Sequence, residues 1–264
     1  MTIFQAVALA VVEGLTEFLP ISSTGHMILT SSALGTNKDE FTKLFEVCIQ
    51  LGAILSVVIL YRNRFLKAGR PFYGKLLAAV CPALVLGFLL AKKIDQWLES
   101  PTTVGVTMLL GGVLLLFVDQ WFTKPVRQSG DQVTYQEAIK IGFWQVLAMI
   151  PGTSRSGATI IGGMQQRLTR KAAAEFSFFL AVPTMCAATG YKLLKALKSQ
   201  PELVTNPDNF KMLLLGNAVA FVVALLAIKS FIGFLQNHGF RMFGVYRILA
   251  GMIVLAMVYT GHLA

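Results

Sequence analysis

Residues 13–26 read EGLTEFLPISSTGH, and residues 145–157 read QVLAMIPGTSRSG. In each stretch an apolar helical run meets a proline and then a short turn of hydroxyl residues that ends in glycine. A second apolar run follows each turn, so the segments 4–32 and 138–164 are both interrupted in the middle. Irregular polar backbone at membrane depth is tolerated where it is buried in protein. The two stretches therefore predict two broken or re-entrant helical hairpins.

The rest of the sequence is typical of an integral membrane protein. Of the 264 residues, 55% are hydrophobic and 14% are charged, against roughly a quarter charged in an average soluble domain. Several apolar runs approach the roughly 20 residues that a helix needs to cross a bilayer core. They predict six spanning helices, at residues 46–61, 76–91, 102–122, 172–191, 212–228 and 245–259. The fold class is therefore an all-α integral membrane protein, with one transmembrane domain over residues 1–264.

The charges of the loops predict how these helices are oriented. Residues 62–75 carry five cations and no carboxylate, and the positive-inside rule assigns such a loop to the cytoplasm. Alternation of the spans then assigns Lys229, Arg241 and Arg247 to the cytoplasm as well. It leaves Arg155 as the one cation between apolar stretches. An ionisable residue inside a membrane is by default a functional residue.

The two interrupted stretches are related by a shift of 132 residues, which pairs Glu13 with Gln145 and Ser22 with Ser154. In the predicted topology the first hairpin enters from the outer face and the second from the cytoplasmic face. The chain is therefore predicted to be an inverted-topology repeat, with halves that cover roughly residues 1–122 and 123–264. Inverted repeats with discontinuous helices commonly form a polar site near the midplane of the membrane.

Glu13 and Glu17 lie four residues apart, so a helix holds them on one face about one turn apart. In apolar surroundings one carboxyl of such a pair stays protonated, which suits acid–base chemistry, or the ionised pair holds a divalent metal. Glu13 and Glu17 are therefore candidates for catalytic carboxylates and for ligands of a divalent cation such as Mg²⁺ or Ca²⁺, and the sequence leaves both roles open. Two solvated carboxylates at a helix end are the alternative.

The two turns offer the groups that a phosphoryl-transfer site needs. Small residues at a helix start leave backbone N–H groups free to hold an anion, and an arginine engages two phosphoryl oxygens at once. Arg155 is predicted to bind the anion, and His26, beside the first turn, is predicted to be the nucleophile or general acid. The predicted substrate-binding residues are Ser22, Thr24, Gly25, Thr153, Ser154, Ser156 and Gly157.

The two stretches resemble the signatures of the bacitracin-resistance type of undecaprenyl-diphosphate phosphatase, and the segment EFSFFLAVP at residues 175–183 agrees with that resemblance. It implies a multi-pass enzyme of the bacterial plasma (inner) membrane that hydrolyses undecaprenyl diphosphate to the monophosphate lipid carrier for peptidoglycan synthesis. It further implies bacitracin resistance, assistance by a divalent cation, and a site open to the outer, periplasmic face. The residues carried over are the acidic pair Glu13 and Glu17, the nucleophile or acid–base candidates Ser23 and His26, and the diphosphate ligand Arg155. The choice between Ser23, His26 and water as nucleophile stays open.

Two other hypotheses remain. One is a transporter or flippase for a phosphorylated lipid or small anion, since inverted repeats and broken helices are also features of transporters. The other treats glycine pairs such as Gly111 and Gly112 as helix-packing seams without catalysis. The concentration of ionisable and hydroxyl groups in two turns favours an enzyme.

The expected partners are the polyprenyl diphosphate substrate and the membrane lipids. The net charge of +10 does not predict nucleic-acid binding, because the basic residues are spread over short loops rather than gathered on one face. The sequence leaves the oligomeric state open, and a homodimer is one state that it allows.

Overall fold

The computed structural model describes residues 1–98 and 100–263, with the helix backbone alone for residues 91–98. Within these residues every regular element is helical, apart from one isolated β-bridge between Arg127 and Leu168. The α-helices are α1 (Ile3–Thr16), α2 (Ser23–Ala33), α3 (Glu40–Cys48), α4 (Gln50–Leu60), α5 (Arg62–Lys67), α6 (Arg70–Leu98), α7 (Pro101–Trp121), α8 (Tyr135–Leu147), α9 (Arg155–Gln165), α10 (Arg170–Ser199), α11 (Glu202–Thr205), α12 (Pro207–His238) and α13 (Arg241–Tyr259).

The six predicted spans are confirmed as long apolar helices. Helices α6, α7, α10, α12 and α13, and the consecutive pair α3 and α4, are each long and apolar enough to cross a bilayer. Helices α10 and α12 have 30 and 32 residues, and at about 1.5 Å per residue each reaches roughly the 40–45 Å of a whole bilayer with its headgroups. Both helices therefore continue past the apolar runs that predict them, into the polar residues at their ends.

The two broken hairpins are also present. Helices α1 and α8 have 14 and 13 residues, and α2 and α9 have 11 each, too few to cross a ~30 Å hydrocarbon core at about 1.5 Å per residue. Both hairpins begin with a capping box, made by Thr2 with Gln5 and by Thr134 with Glu137. A capping box satisfies two free N–H groups at a helix start. Because these positions are also 132 residues apart, the correspondence extends to the start of each hairpin.

The two halves of the chain are interleaved. Helix α1 packs along α12, and its counterpart α8 packs along α6. Helices α7 and α13, the last of each half, pack along each other. The first helix of each hairpin is thus supported by a long helix of the other half, which leaves the two turns side by side. The opposite orientation of the two halves in the membrane stays a prediction.

Glycines allow α7 and α13 to approach closely. A Cβ atom added to Gly112 would lie 2.8 Å from the carbonyl oxygen of Gly244, and one added to Gly251 would lie 2.9 Å from that of Gly105. Any larger residue would force the helices apart, which is why small residues are common where membrane helices touch. The prediction that Gly112 packs helices is confirmed, whereas Gly111 faces a side chain that is described below.

Apolar side chains cover the outside of the helical bundle. Phe88 is 85% exposed and Leu77 is 63% exposed, both on α6. A soluble protein rarely exposes large contiguous apolar patches, whereas lipid tails cover them in a bilayer. The exposed surface therefore agrees with a helical bundle that lies in a membrane.

Candidate active site

The two turns have the same backbone geometry. Ser22 has φ 71° and ψ 95°, and Ser154 has φ 69° and ψ 109°. Each serine caps the helix that follows, since its Oγ accepts a hydrogen bond from Gly25 N at 3.4 Å or from Gly157 N at 3.2 Å. A positive φ at a residue other than glycine is strained, and such strain concentrates at functional sites. The repeat predicted from the sequence is thus visible in the backbone of the turns.

Residues of both turns meet at Glu17. Its Oε2 accepts a hydrogen bond from Ser23 Oγ at 2.6 Å, and its Oε1 accepts one from Arg155 Nη2 at 2.8 Å. The side chains of Glu17 and Arg155 are only 7% and 13% exposed. Hydrogen bonds between ionised groups are short and strong, so the carboxylate joins the hydroxyl of one turn to the guanidinium of the other. Three of the predicted catalytic residues are therefore in direct contact.

Arg155 has further contacts, but none of them engages its Nε–H group. Its Nη1 donates to the Ser177 carbonyl at 3.2 Å, its Nη2 lies 3.3 Å from Met185 Sδ, and its guanidinium carbon lies 5.8 Å from the centroid of the Phe18 ring. Its Nε is buried and has no hydrogen-bond partner among the residues that the structure describes. A buried donor without an acceptor is costly. This N–H group is therefore available to an oxygen atom of a bound anion.

Glu13 lies one helical turn from Glu17, as the spacing predicts, because Glu17 N donates to the Glu13 carbonyl at 2.9 Å. The Glu13 side chain is buried and lies within hydrogen-bonding reach of the Glu17 carboxyl, and the charge of Glu46 also acts on it. One oxygen of Glu13 and one of Glu46 are buried and have no hydrogen-bond partner in the described part of the chain. Sequence reasoning did not assign Glu46 to the site, although a carboxylate near the start of an apolar run was an available signal.

The acidic groups fit a hard divalent cation only in part. The buried free oxygen of Glu13 is the kind of ligand that Mg²⁺ and Ca²⁺ prefer, whereas both oxygens of Glu17 already accept hydrogen bonds. In the part of the chain that the structure describes, no group of three or more His, Cys, Asp or Glu side chains could hold a metal. A cation bound at Glu13 would therefore complete its coordination with water or with phosphoryl oxygens of the substrate.

The predicted substrate-binding hydroxyls fall into two groups. Ser22 and Ser154 serve as helix caps, and Ser156 Oγ donates to a backbone carbonyl of the first turn at 2.7 Å. The side-chain hydroxyls of Thr24 and Thr153, by contrast, make no hydrogen bond to the residues that the structure describes. These two are therefore open to a ligand. The roles of all five as substrate ligands stay predictions.

His26 is engaged through both ring nitrogens. Its Nδ1 lies 2.7 Å from the Ser22 carbonyl oxygen, and its Nε2 lies 2.7 Å from the Tyr246 hydroxyl oxygen. Because a carbonyl can only accept, Nδ1 carries a proton, and in the neutral imidazole Nε2 accepts from the tyrosine. Within the described residues neither nitrogen is bonded to Glu17 or its two partners. The predicted role of His26 as nucleophile or acid therefore requires that Nε2 first exchange Tyr246 for the substrate.

The prediction that Arg155 is the one intramembrane cation is wrong. Arg247, which the loop count assigns to the cytoplasm, lies inside α13 and is only 2% exposed. The predicted span at residues 245–259 already contains Arg247, and α13 begins still earlier, at Arg241. Arg247 therefore lies in the second turn of the helix rather than in a loop. Its guanidinium contacts backbone carbonyls of both turns.

The fold and the two turns define a class, namely a multi-pass membrane protein with an intramembrane polar site formed by two broken helical hairpins. Residues 6–253 match the family described as bacitracin resistance protein BacA. The chain is 56% identical to the undecaprenyl-diphosphatase of Flavobacterium johnsoniae over 99% of this chain and 98% of that protein. It is 49% identical to the undecaprenyl-diphosphatase of Bdellovibrio bacteriovorus over the same shares. The chain belongs to the BacA family, as the resemblance predicts.

Proposed function

We propose that this protein is an undecaprenyl-diphosphatase. It hydrolyses the phosphoanhydride bond of undecaprenyl diphosphate, releases inorganic phosphate and leaves the monophosphate lipid carrier for cell-envelope synthesis. The observation that carries the proposal is the contact of Glu17 with both Ser23 and Arg155, in a chain whose relatives are named for this activity. The cluster combines a nucleophile, a proton acceptor and a fixed positive charge in one buried place.

Ser23 is the nucleophile of this mechanism. Its Oγ attacks the terminal phosphorus and passes its proton to the Glu17 carboxylate, 2.6 Å away. The bridging P–O bond breaks, and the lipid monophosphate departs with the bonding electrons. Glu17 releases the proton to solvent and then accepts one from a water molecule that attacks the phosphoserine. That proton restores the Ser23 hydroxyl as inorganic phosphate leaves.

Arg155 binds the terminal phosphoryl group and stabilises its equatorial oxygens as charge develops on them. Phosphoryl transfer depends mainly on such positioning and electrostatic stabilisation. The Nε of Arg155 supplies a donor that no described residue of the protein uses. Thr24 and Thr153, one on each turn, have unbonded hydroxyls that would donate further hydrogen bonds to the phosphoryl oxygens.

A divalent cation, Mg²⁺ or Ca²⁺, assists the reaction. Glu13 would hold it through its buried free oxygen, and water or phosphoryl oxygens of the substrate would complete its coordination. When bound, the cation acts as a Lewis acid on the phosphoryl oxygens.

The enzyme lies in the bacterial plasma (inner) membrane, with the site open to the periplasmic face. The basic loop at residues 62–75 supports this orientation through the positive-inside rule. Arg64 pairs with Asp131, and Lys75 Nζ donates to the Asp131 carbonyl at 2.7 Å. This loop and the loop before α8 therefore lie on one side of the bundle, and the sequence assigns both to the cytoplasm.

The test is phosphate release from detergent-solubilised undecaprenyl diphosphate by the wild type, Ser23→Ala and Arg155→Ala, with Arg241→Ala as a control for the loss of an exposed arginine. We expect release by the wild type and the control, and a loss of at least about 100-fold in the other two variants. Folded wild type that releases no phosphate at any Mg²⁺ or Ca²⁺ concentration, but moves a phosphorylated lipid across vesicle membranes, would instead establish the transporter hypothesis.

A further inference from the structure

Arg247 joins both turns to α7. A guanidinium group has five N–H donors, and the five hydrogen bonds of Arg247 all end on backbone carbonyl oxygens. The acceptors are Met108 for Nε at 3.4 Å, Pro20 and Thr153 for Nη1 at 3.2 and 3.1 Å, and Thr107 and Gly152 for Nη2 at 3.2 and 2.9 Å.

No carboxylate within the described residues forms an ion pair with this buried cation. A charge at membrane depth is costly, and such residues mark function by default. If the position only had to hold helices together, well-packed apolar side chains would do so at least as well as a buried charge. The arginine is therefore better explained by what it does to the two turns than by a contribution to stability.

We propose that Arg247 is a positioning residue for phosphoryl transfer, a role that rests on the proposed function. Its Nη1 binds the first turn at the Pro20 carbonyl, three residues before Ser23, and the second turn at the Thr153 carbonyl, two residues before Arg155. One rigid planar group thus fixes the distance between the nucleophile on one hairpin and the phosphate ligand on the other. The carboxylate of Glu17, which accepts hydrogen bonds from both Ser23 and Arg155, joins the same two turns a second time.

Gly111 provides the space that this arrangement needs. A Cβ atom added to Gly111 would lie 2.2 Å from Nη2 of Arg247. The nearest atom is the far end of a flexible side chain, so Gly111→Ala would displace the guanidinium without removing its charge. The close approach of α7 and α13 at Gly112 and Gly244 then brings the guanidinium within reach of the α7 carbonyls.

The experiment measures kcat and KM for undecaprenyl diphosphate in detergent micelles for Arg247→Met and Arg247→Lys. A 1 Å misplacement of reacting groups costs roughly 100-fold, so we expect Arg247→Met to lower kcat by about that factor while KM changes by less than about 3-fold. Arg247→Lys keeps the charge but has three donors on one atom, so we expect it to recover less than about a tenth of the lost rate. Arg241→Met, which removes an exposed cation from the same helix, should stay within about 2-fold of wild type.

Two glycine variants, Gly111→Ala and its control Gly233→Ala, test the proposal even if Arg247→Met does not fold. Gly111→Ala is expected to lower kcat at least about 10-fold, because the guanidinium can no longer bind all its carbonyls. Gly233→Ala is the matched control, since a Cβ atom there meets nothing within 4 Å. Thermal unfolding in detergent, measured for every variant, separates loss of rate from loss of fold.

Each result of these measurements either supports the proposal or overturns it. The proposal is supported if Arg247→Met lowers kcat with little change in KM and Arg247→Lys does not restore the rate. Gly111→Ala should lower kcat in the same way, and Gly233→Ala should not. Rescue by lysine would show that charge alone matters, and would overturn it. Full activity of Arg247→Met or of Gly111→Ala would also overturn it while leaving the proposed hydrolysis intact. An inactive wild type would overturn the proposed function and this inference together.

Discussion

Glu17→Gln changes the charge and the basicity of the central carboxylate with almost no change in shape. The carboxylate accepts hydrogen bonds from both Ser23 and Arg155, but an amide has only one acceptor oxygen. If that oxygen stays with the guanidinium, the amide nitrogen faces the serine hydroxyl and donates to it. Ser23 then loses the acceptor of its proton. We therefore expect the variant to bind substrate but not to turn it over.

The substitution is expected to lower kcat and to tighten the binding of the substrate. Removal of a general base costs about 10²- to 10⁴-fold in kcat. Removal of a negative charge about 5 Å from an incoming phosphate relieves roughly 3 kcal/mol of repulsion at an effective dielectric constant of about 20. We expect solvent that enters with the substrate to screen much of this energy. We expect a non-hydrolysable methylene diphosphonate to bind about 3- to 30-fold more tightly to Glu17→Gln than to the wild type.

Steady-state phosphate release gives kcat, and titration calorimetry gives the Kd of the diphosphonate. Glu40→Gln is the matched control, because Glu40 pairs with Lys43 at 2.9 Å on an exposed surface and the same substitution there should leave both quantities unchanged. A variant that keeps more than about a tenth of the wild-type kcat would refute the role of Glu17 as base. Weaker diphosphonate binding would refute the electrostatic reasoning.

Three further predictions concern the surroundings of the cluster. Tyr246→Phe removes the hydrogen bond to His26 Nε2, which is worth about 1 kcal/mol, so kcat should fall by only about 2- to 5-fold. A loss above about 100-fold in steady-state kinetics would contradict this expectation and show that the orientation of the imidazole is essential. Glu13→Gln should raise the Mg²⁺ concentration for half-maximal activity by at least about 10-fold in a titration after chelation, and an unchanged midpoint would exclude Glu13 as a metal ligand. Gly152→Ala should destabilise the protein by roughly 2 kcal/mol or more, since Gly152 has φ +86° and the new Cβ would lie 2.2 Å from a threonine hydroxyl of α7; thermal unfolding in detergent checks this, with Gly190→Ala as the harmless control.

The architecture could be predicted because its signals are local. Apolar runs of spanning length gave the six long helices, and a proline followed by hydroxyl residues and glycine gave the break in each hairpin. The 132-residue shift paired Ser22 with Ser154, and the structure gives both the same strained cap conformation. The same shift also pairs the capping boxes at Thr2 and Thr134, a short polar signal that lies outside the quoted stretches.

The contacts that organise the site could not be predicted, because they join residues far apart in sequence. His26 meets Tyr246 across 220 positions, and no pattern in either segment indicates the pairing. Arg247 looks like a loop cation because it stands near the start of an apolar run, yet the close packing of α7 and α13 buries it. Backbone carbonyls, which are its partners, leave no trace in the sequence at all.

Rapid-quench trapping of the enzyme with undecaprenyl diphosphate labelled in the terminal phosphate tests whether the two turns act as one phosphoryl-transfer site. The proposed mechanism predicts acid-stable label on the peptide that contains Ser23 in the wild type, and a loss of that label in Arg155→Ala, whose substitution lies on the other turn. Acid-labile label on His26 would contradict the assignment of the nucleophile. Rapid turnover with no label would contradict the covalent mechanism, and full labelling in Arg155→Ala would contradict a single site built from both turns.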